Sequence, residues 1–138
     1  MKTYLIDTGP IVAYLNRRDE AHGPVKQSLR SFKGQLVTTC AVVHEVMYFV
    51  SEHPGGPLSL AQFLTASRIN IIESCQPAQT LAAANLMDRY RDTPMDFADA
   101  TLVLLADTLG VTDVFTLDRR GFSTYRTVKG KAFQIFPQ

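Results

Sequence analysis

The 138-residue chain has no tryptophan and only two cysteines. Cys40 and Cys75 are too few and too far apart for a disulfide framework or a metal knuckle. Each is expected to be a small buried hydrophobe in a reducing cytosol. Neither charge sign is in excess: the formal net charge is +1, which by itself points to neither nucleic acid nor a membrane surface. No apolar run approaches the roughly 20 residues that span a bilayer, and Asp7 interrupts the first apolar run too early for a secretory signal. Repeats, low-complexity tracts and linkers are missing as well. What is present is an ordinary globular composition, 46% hydrophobic and 20% charged. The expectation is one soluble, cytoplasmic domain over 1–138, without a membrane segment and large enough for a core that needs no disulfide.

Strands and helices alternate along the chain. Thr3-Tyr4-Leu5-Ile6 is a β-rich run that stops at Asp7-Thr8-Gly9-Pro10. Ile11 to Leu15 continues as an apolar helical turn, with Pro10 suited to the first helical position and Thr8 or Gly9 to the cap. After a polar loop, a helix is expected over 21–32, ended by Gly34. Gln35 to Thr38 reads as a second strand, and Thr39 or Thr38 caps a helix over 41–51. Val42, Val43, Val46, Met47, Phe49 and Val50 make its apolar face. Glu45 lies at the edge of that face, its stem against the core and its carboxylate free to reach a cleft, with His44 roughly opposite. His53-Pro54-Gly55-Gly56-Pro57 breaks the chain. Ser59 is the expected cap of a helix to Ala66, 69–73 is a third strand, and Pro77 opens a helix with Ala83, Leu86, Met87 and Tyr90 as its stripe. Strands at 114–117 and 132–136, with a turn over 119–122 after Asp118, complete the pattern. The alternation argues for one α/β domain with a mainly parallel sheet.

One stretch stands apart. Pro94-Met95-Asp96-Phe97-Ala98-Asp99-Ala100 sets two carboxylates at the mouth of a helix that is apolar nearly all round and closes at Gly110. Such a helix is normally buried, and ionised carboxylates are not sent toward a core without a partner. Asp107, two turns on, is read as a surface residue. In an open parallel sheet, ligands bind beyond the carboxyl ends of the strands. Asp7 and Asp118 directly follow strands there, Glu45 is on the helix after the second strand, and Asp96 and Asp99 start the helix before the fourth. Carboxylates gathered at one sheet edge repel and raise one another's pKa. An oxygen-seeking divalent cation removes the conflict, and Mg²⁺ or Mn²⁺ suits such ligands better than zinc. Metals held this way hydrolyse phosphodiesters by activating a water and neutralising the charge that builds on phosphate and leaving oxygen. Singly, each acid has a plainer reading: a turn or N-cap for Asp7 and Asp118, an N-cap for Asp96, a solvated flank for Glu45. Their common placement singles them out.

Leu5-Ile6-Asp7-Thr8, Glu45, the 94–100 stretch and Thr116-Leu117-Asp118-Arg119-Arg120, in this order and spacing, resemble the PIN-domain ribonucleases, closely the VapC-type toxins. The likeness covers nearly the whole chain. It implies a PIN-like three-layer α/β/α fold, a Mg²⁺- or Mn²⁺-dependent endoribonuclease acting on RNA, and a cognate antitoxin that blocks the site. It puts the acidic cluster on Asp7, Glu45, Asp99 and Asp118, with Asp96 as an additional acid. Thr8 and Thr116 match the small hydroxyl positions beside the first and last acids. Gly121 departs from the pattern, which often has Asp before the Phe.

After Asp118 the chain carries Arg119, Arg120, Arg126, Lys129 and Lys131 with no acid among them. They make a phosphate-contacting rim or a solvated basic loop, and Arg17 and Arg18 are placed to border the same cleft. His22, His44 and His53 are assigned no chemistry. Tyr48, Phe49 and Phe63 are candidates for a patch that takes a homodimer partner or an antitoxin helix, with core packing as the alternative. Two other functions compete with a toxin: a housekeeping RNA-processing nuclease without an antitoxin, and a receiver-like module that takes phosphate on Asp. The receiver reading expects paired acids after the first strand and a Lys after the last; here Asp7 has no acidic neighbour and Asp118 ends the fourth strand.

Overall fold

The computed structural model describes residues 1–137. Its elements, in chain order, are β1 (Thr3–Ile6), α1 (Thr8–Leu15), α2 (His22–Ser31), β2 (Gln35–Thr39), α3 (Cys40–Val50), α4 (Gly56–Ala66), β3 (Asn70–Ile72), α5 (Pro77–Arg89), α6 (Phe97–Leu109), β4 (Asp113–Phe115), α7 (Arg119–Thr124) and β5 (Gln134–Phe136). The strands form one sheet in the order β3-β2-β1-β4-β5, and every pairing is parallel. Parallel sheets need both faces covered, and the helices supply the outer layers of an α/β/α sandwich. The chain leaves β1 toward β2 and β3, then returns to lay β4 on the other side of β1. That reversal opens a crevice at the carboxyl ends of β1 and β4, where such folds bind ligands. A receiver's doubly wound sheet has the order 2-1-3-4-5, so the strand order removes the receiver reading.

The core is built from strand and helix faces that the apolar pattern marks. Leu5, Ile6 and Val114 are fully buried in the central strands, and Leu102 and Val103 of α6 are fully buried beside them. Tyr4 packs edge-on against Phe32 and Phe136, with ring centroids 4.9 and 5.1 Å apart. At the amino ends of β1 and β4, Lys2 pairs with Asp113 at 3.6 Å.

Several local expectations need correction. Asp7, and not Thr8 or Gly9, caps α1, because its carboxylate accepts from the Thr8 N–H and the helix starts at Thr8 rather than at Pro10. Gly55, in the left-handed region at φ 76°, takes the cap position of α4 in place of Ser59. The close approach of the breaker to α3 explains the next residue: a Cβ on Gly56 would collide with the Val50 carbonyl oxygen. β4 is Asp113–Phe115 and not 114–117, and the turn after Asp118 is the short helix α7. Both cysteines are exposed, since they sit just past strand ends at the sheet's open edge. Phe49 is exposed too and does not join the buried face of α3. Asp107 is half-buried; its Oδ2 accepts from the Val128 N–H at 2.8 Å and pins the chain after α7 to the last turns of α6.

Candidate active site

Asp7 stands one residue beyond β1. Its backbone N–H still donates to the Phe115 carbonyl at 2.9 Å, so β1 and β4 hold its position. Its carboxylate is held at both oxygens: Oδ1 accepts from the Thr8 N–H and Oδ2 from the Thr116 hydroxyl, each at 2.8 Å. Thr116 Oγ1 also accepts from the Asp118 N–H at 3.0 Å, which ties the first and last acids through one hydroxyl. Asp118 caps α7 with Oδ1 on the Gly121 N–H at 2.9 Å. A Cβ at residue 121 would collide with Asp118 Oδ2. The glycine that departs from the family pattern is therefore the residue over which the Asp118 carboxylate folds.

The mouth of α6 is a reciprocal capping box. Asp96 Oδ1 accepts from the Asp99 N–H at 2.8 Å, and Asp99 Oδ2 accepts from the Asp96 N–H at 3.2 Å. Carboxylates are favoured at this end by the helix dipole and free N–H groups. Asp96 is thus a helix cap, and it remains exposed, whereas Asp99 is buried. Further along, Thr101 donates to the Ala98 carbonyl at 2.7 Å and lies 2.8 Å from the Thr39 hydroxyl, linking α6 to the end of β2. Glu45 reaches the same region from the middle of α3, which packs against α6.

Burial and crowding act together on these acids. Asp7, 5% exposed, is pushed up to about 6, first by burial, with Asp96 and Asp118 adding to the rise and the two hydrogen bonds opposing it. Glu45 is raised to about 7 by burial, by a hydrogen bond shared with Asp96, and by the charges of Asp96 and Asp7. Asp99 is raised most, to about 9, by burial and by the charges of Asp7 and Asp96. The hydroxyl of Tyr125 is raised as well, by burial and then by Asp99, Asp118, Asp96 and Asp7. The acids named from sequence therefore face one region. No cation neutralises them: among the described residues the ion pairs are Lys2–Asp113 and Arg91–Asp88, both elsewhere. The Thr8 hydroxyl, beside Glu45, is buried without a completed hydrogen bond. Among the described residues no three His, Cys, Asp or Glu side chains are grouped so that, as they stand, they could hold a metal ion. The donor set is nonetheless all oxygen, in carboxylate surplus, with a spare buried hydroxyl, and this fits Mg²⁺ or Mn²⁺ rather than a softer ion.

The basic residues divide. Arg126 directs Nη1 to the carbonyls of Ser123, Thr124 and Tyr125, and Arg119 donates to the Pro137 carbonyl. Arg17 and Arg18 line a separate pocket beyond Phe49. Phe63 leaves the expected patch: it is half-buried against Tyr14, with ring centroids 5.0 Å apart. Tyr125 escaped the sequence reading. It is fully buried, and its hydroxyl donates to the Pro94 carbonyl at 3.0 Å, fixing the loop that delivers Asp96. Its only sequence signal is an aromatic in an otherwise basic run.

A parallel α/β/α sheet with unpaired carboxylates at its switch point is the architecture of a PIN domain, and the PIN domain family model matches residues 4–127. The chain belongs to the PIN-domain family. Within it the likeness is to VapC proteins: the chain is 32% identical over 134 residues to the ribonuclease VapC26 of Mycobacterium tuberculosis, covering 96% of this chain and 99% of that protein. Solved structures share the fold at lower identity. VapC20 of Mycobacterium tuberculosis, a Sarcin-Ricin loop cleaving toxin, superposes with a TM-score of 0.73 at 17% identity, over 82% of this chain and 87% of that one. VapBC2 from Rickettsia felis, solved bound to a DNA fragment from its promoter, gives 0.67 at 15% identity, over 99% and 100%. A toxin-antitoxin complex from Klebsiella pneumoniae gives 0.63 at 20% identity, over 88% and 91%.

Proposed function

We propose that this protein is a divalent-metal-dependent endoribonuclease that hydrolyses RNA phosphodiester bonds, and the toxin of a toxin–antitoxin pair. The observation that carries the reading is the set of acids converging at the β1/β4 crevice without a cation, joined to full-length likeness to a ribonuclease. Asp7, Glu45, Asp99 and Asp118 would hold Mg²⁺ or Mn²⁺, with Asp96 as an additional acid. When bound, the ion supplies an activated water and neutralises charge on the phosphate. The chain's own work is orientation and proton handling. The Thr8 N–H and the Thr116 hydroxyl lock both oxygens of Asp7, and the Asp96 N–H does the same for one oxygen of Asp99. Glu45, raised to about 7 in the metal-free site by burial and by Asp96 and Asp7, would give up its proton when a cation takes up that charge.

The test is cleavage of RNA by purified protein in Mg²⁺ or Mn²⁺ against EDTA, for wild type and Asp7→Asn. Cleavage confined to wild type with metal supports the mechanism; full activity in EDTA sinks it. Toxicity is tested separately, by expressing the chain alone and with the product of the adjacent upstream gene. Growth arrest relieved by that product supports a cytoplasmic toxin with a cognate antitoxin, and harmless expression alone favours a housekeeping RNA-processing nuclease. A homodimer is expected, and a monomeric mass at micromolar concentration would count against it.

A further inference from the structure

Two cavities, one of them opening on the acid centre, meet at one side chain. A pocket of about 590 Å³ opens on Glu45 and Asp96 and is walled by Tyr48, Phe49 and Phe97. A second, of about 400 Å³, is lined by Arg17, Arg18 and His53, again with Phe49. Tyr48 is 67% and Phe49 46% exposed, and their rings meet edge-on at 5.6 Å, so an aromatic ridge separates acids from cations.

The cations beyond the ridge are available. Arg17 and Arg18 are exposed and form no ion pair among the described residues, and no acid lines their pocket. The adjacent Asp19 directs its carboxylate to the Ala21 N–H; Glu20 is exposed and does not line the pocket. On the opposite flank, Arg119 and Arg126 are bonded to backbone carbonyls. Single-stranded nucleic acid is held by cations on its phosphates and aromatic faces under its bases. We propose that an unpaired base of the substrate stacks on Tyr48 and Phe49 while the neighbouring phosphate sits at Arg17 and Arg18, so that the strand runs from the acid centre across α3 to the loop after α1. This rests on the ribonuclease reading. Charge decides for a polyanion over a second copy of the chain or a protein helix: the cationic pocket lies one side chain away from a centre built for a phosphodiester.

Binding is read by fluorescence anisotropy of a 5′-labelled decauridylate on Asp7→Asn protein with Mn²⁺, alone and carrying ridge substitutions. Phe49→Leu, which keeps apolar volume and removes the ring, and Tyr48→Ala should each weaken binding about tenfold. Arg17→Ala with Arg18→Ala should lower the slope of log affinity against log salt by about 0.7 for each phosphate no longer neutralised. The same strand annealed to oligoadenylate should bind without sensitivity to Phe49→Leu. Unchanged affinity and slope in every ridge variant overturn the proposal while leaving cleavage by wild type, and with it the ribonuclease reading, intact. Sedimentation of these variants adds a second test: a dimer that splits with RNA affinity unchanged gives the ridge to a second copy and overturns the proposal. If wild type cleaves no RNA and Asp7→Asn binds none, both readings fall.

Discussion

β1 and β4 meet opposite conditions at their two ends. At the amino ends, Asp113 faces Lys2 and aromatic rings close the packing. At the carboxyl ends, a few residues away, Asp7 and Asp118 stand with Asp99, Asp96 and Glu45 and no cation answers them. The contrast teaches where the fold places stability and where it places chemistry. Charge is neutralised where the sheet has only to hold together and left in surplus where the proposed cation would bind. Buried carboxylates raised above their ordinary range destabilise the metal-free protein at neutral pH, as functional sites often do.

The comparison breaks first at the acids. Asp7→Asn or Asp99→Asn should lower RNA cleavage by about 10²–10³-fold, as expected when several kcal/mol of metal-centred stabilisation is lost. The same variants should melt higher, not lower, than metal-free wild type at pH 8: Asp7 is there a buried charge, and Asp99, raised to about 9, keeps a proton that the unfolded chain releases, and asparagine has neither cost. A lower melting temperature in both would mean that the acids are structural.

Gly121→Ala comes next. The added Cβ would collide with Asp118 Oδ2 and meet a Tyr125 ring carbon at 3.0 Å. Displacing Asp118 should cost about 10- to 100-fold in cleavage, the scale of an ångström-sized misplacement, with melting lowered by an overpacking cost of roughly 1–3 kcal/mol.

The third prediction is the pH dependence of metal-free stability. For a carboxyl raised in the folded state, the native protein binds more protons than the unfolded chain between the two pKa values, so stability falls as pH rises through that interval. For Asp7 the window runs from 3.8 to about 6, worth about 3 kcal/mol; Glu45 and Asp99 extend the decline to about 7 and about 9. Thermal unfolding in EDTA across pH 4.5 to 9 should show melting falling with pH, and Asp99→Asn should flatten the upper part of that curve. The smallest effect lies at the other end of the strands. Lys2→Ala should change stability by less than about 1 kcal/mol, since Lys2 is mostly exposed, and leave cleavage untouched.

The sequence carried the sheet's end points better than its boundaries. The apolar runs before Asp7 and Asp118, and the apolar body after Asp99, named the strands and helix that frame the crevice, because periodicity and burial are local signals. Which residue caps α1 was misjudged, since Asp7 satisfies a helix N–H and faces the other acids with the same carboxylate. Tyr125 and the Thr39–Thr101 contact were invisible, because they join segments 31 and 62 residues apart. Residue type alone puts the cysteines inside, and periodicity puts Phe49 on the apolar face of α3 while leaving it a candidate for an exposed patch; the open edge of the sheet and the free face of α3 place all three outside. Gly121, a departure from the resembled pattern in sequence, is the surface against which Asp118 rests.

The most direct measurement is calorimetric titration of Mn²⁺ into wild type and Asp99→Asn at pH 7.5, repeated in buffers of different ionisation enthalpy. Ligands must be deprotonated to bind metal, and Asp99 is raised to about 9. The expected result is saturable binding by wild type with net proton release, and loss of both in Asp99→Asn. Absence of binding to wild type, or equal binding and proton release in the two proteins, would contradict a metal centre at these acids.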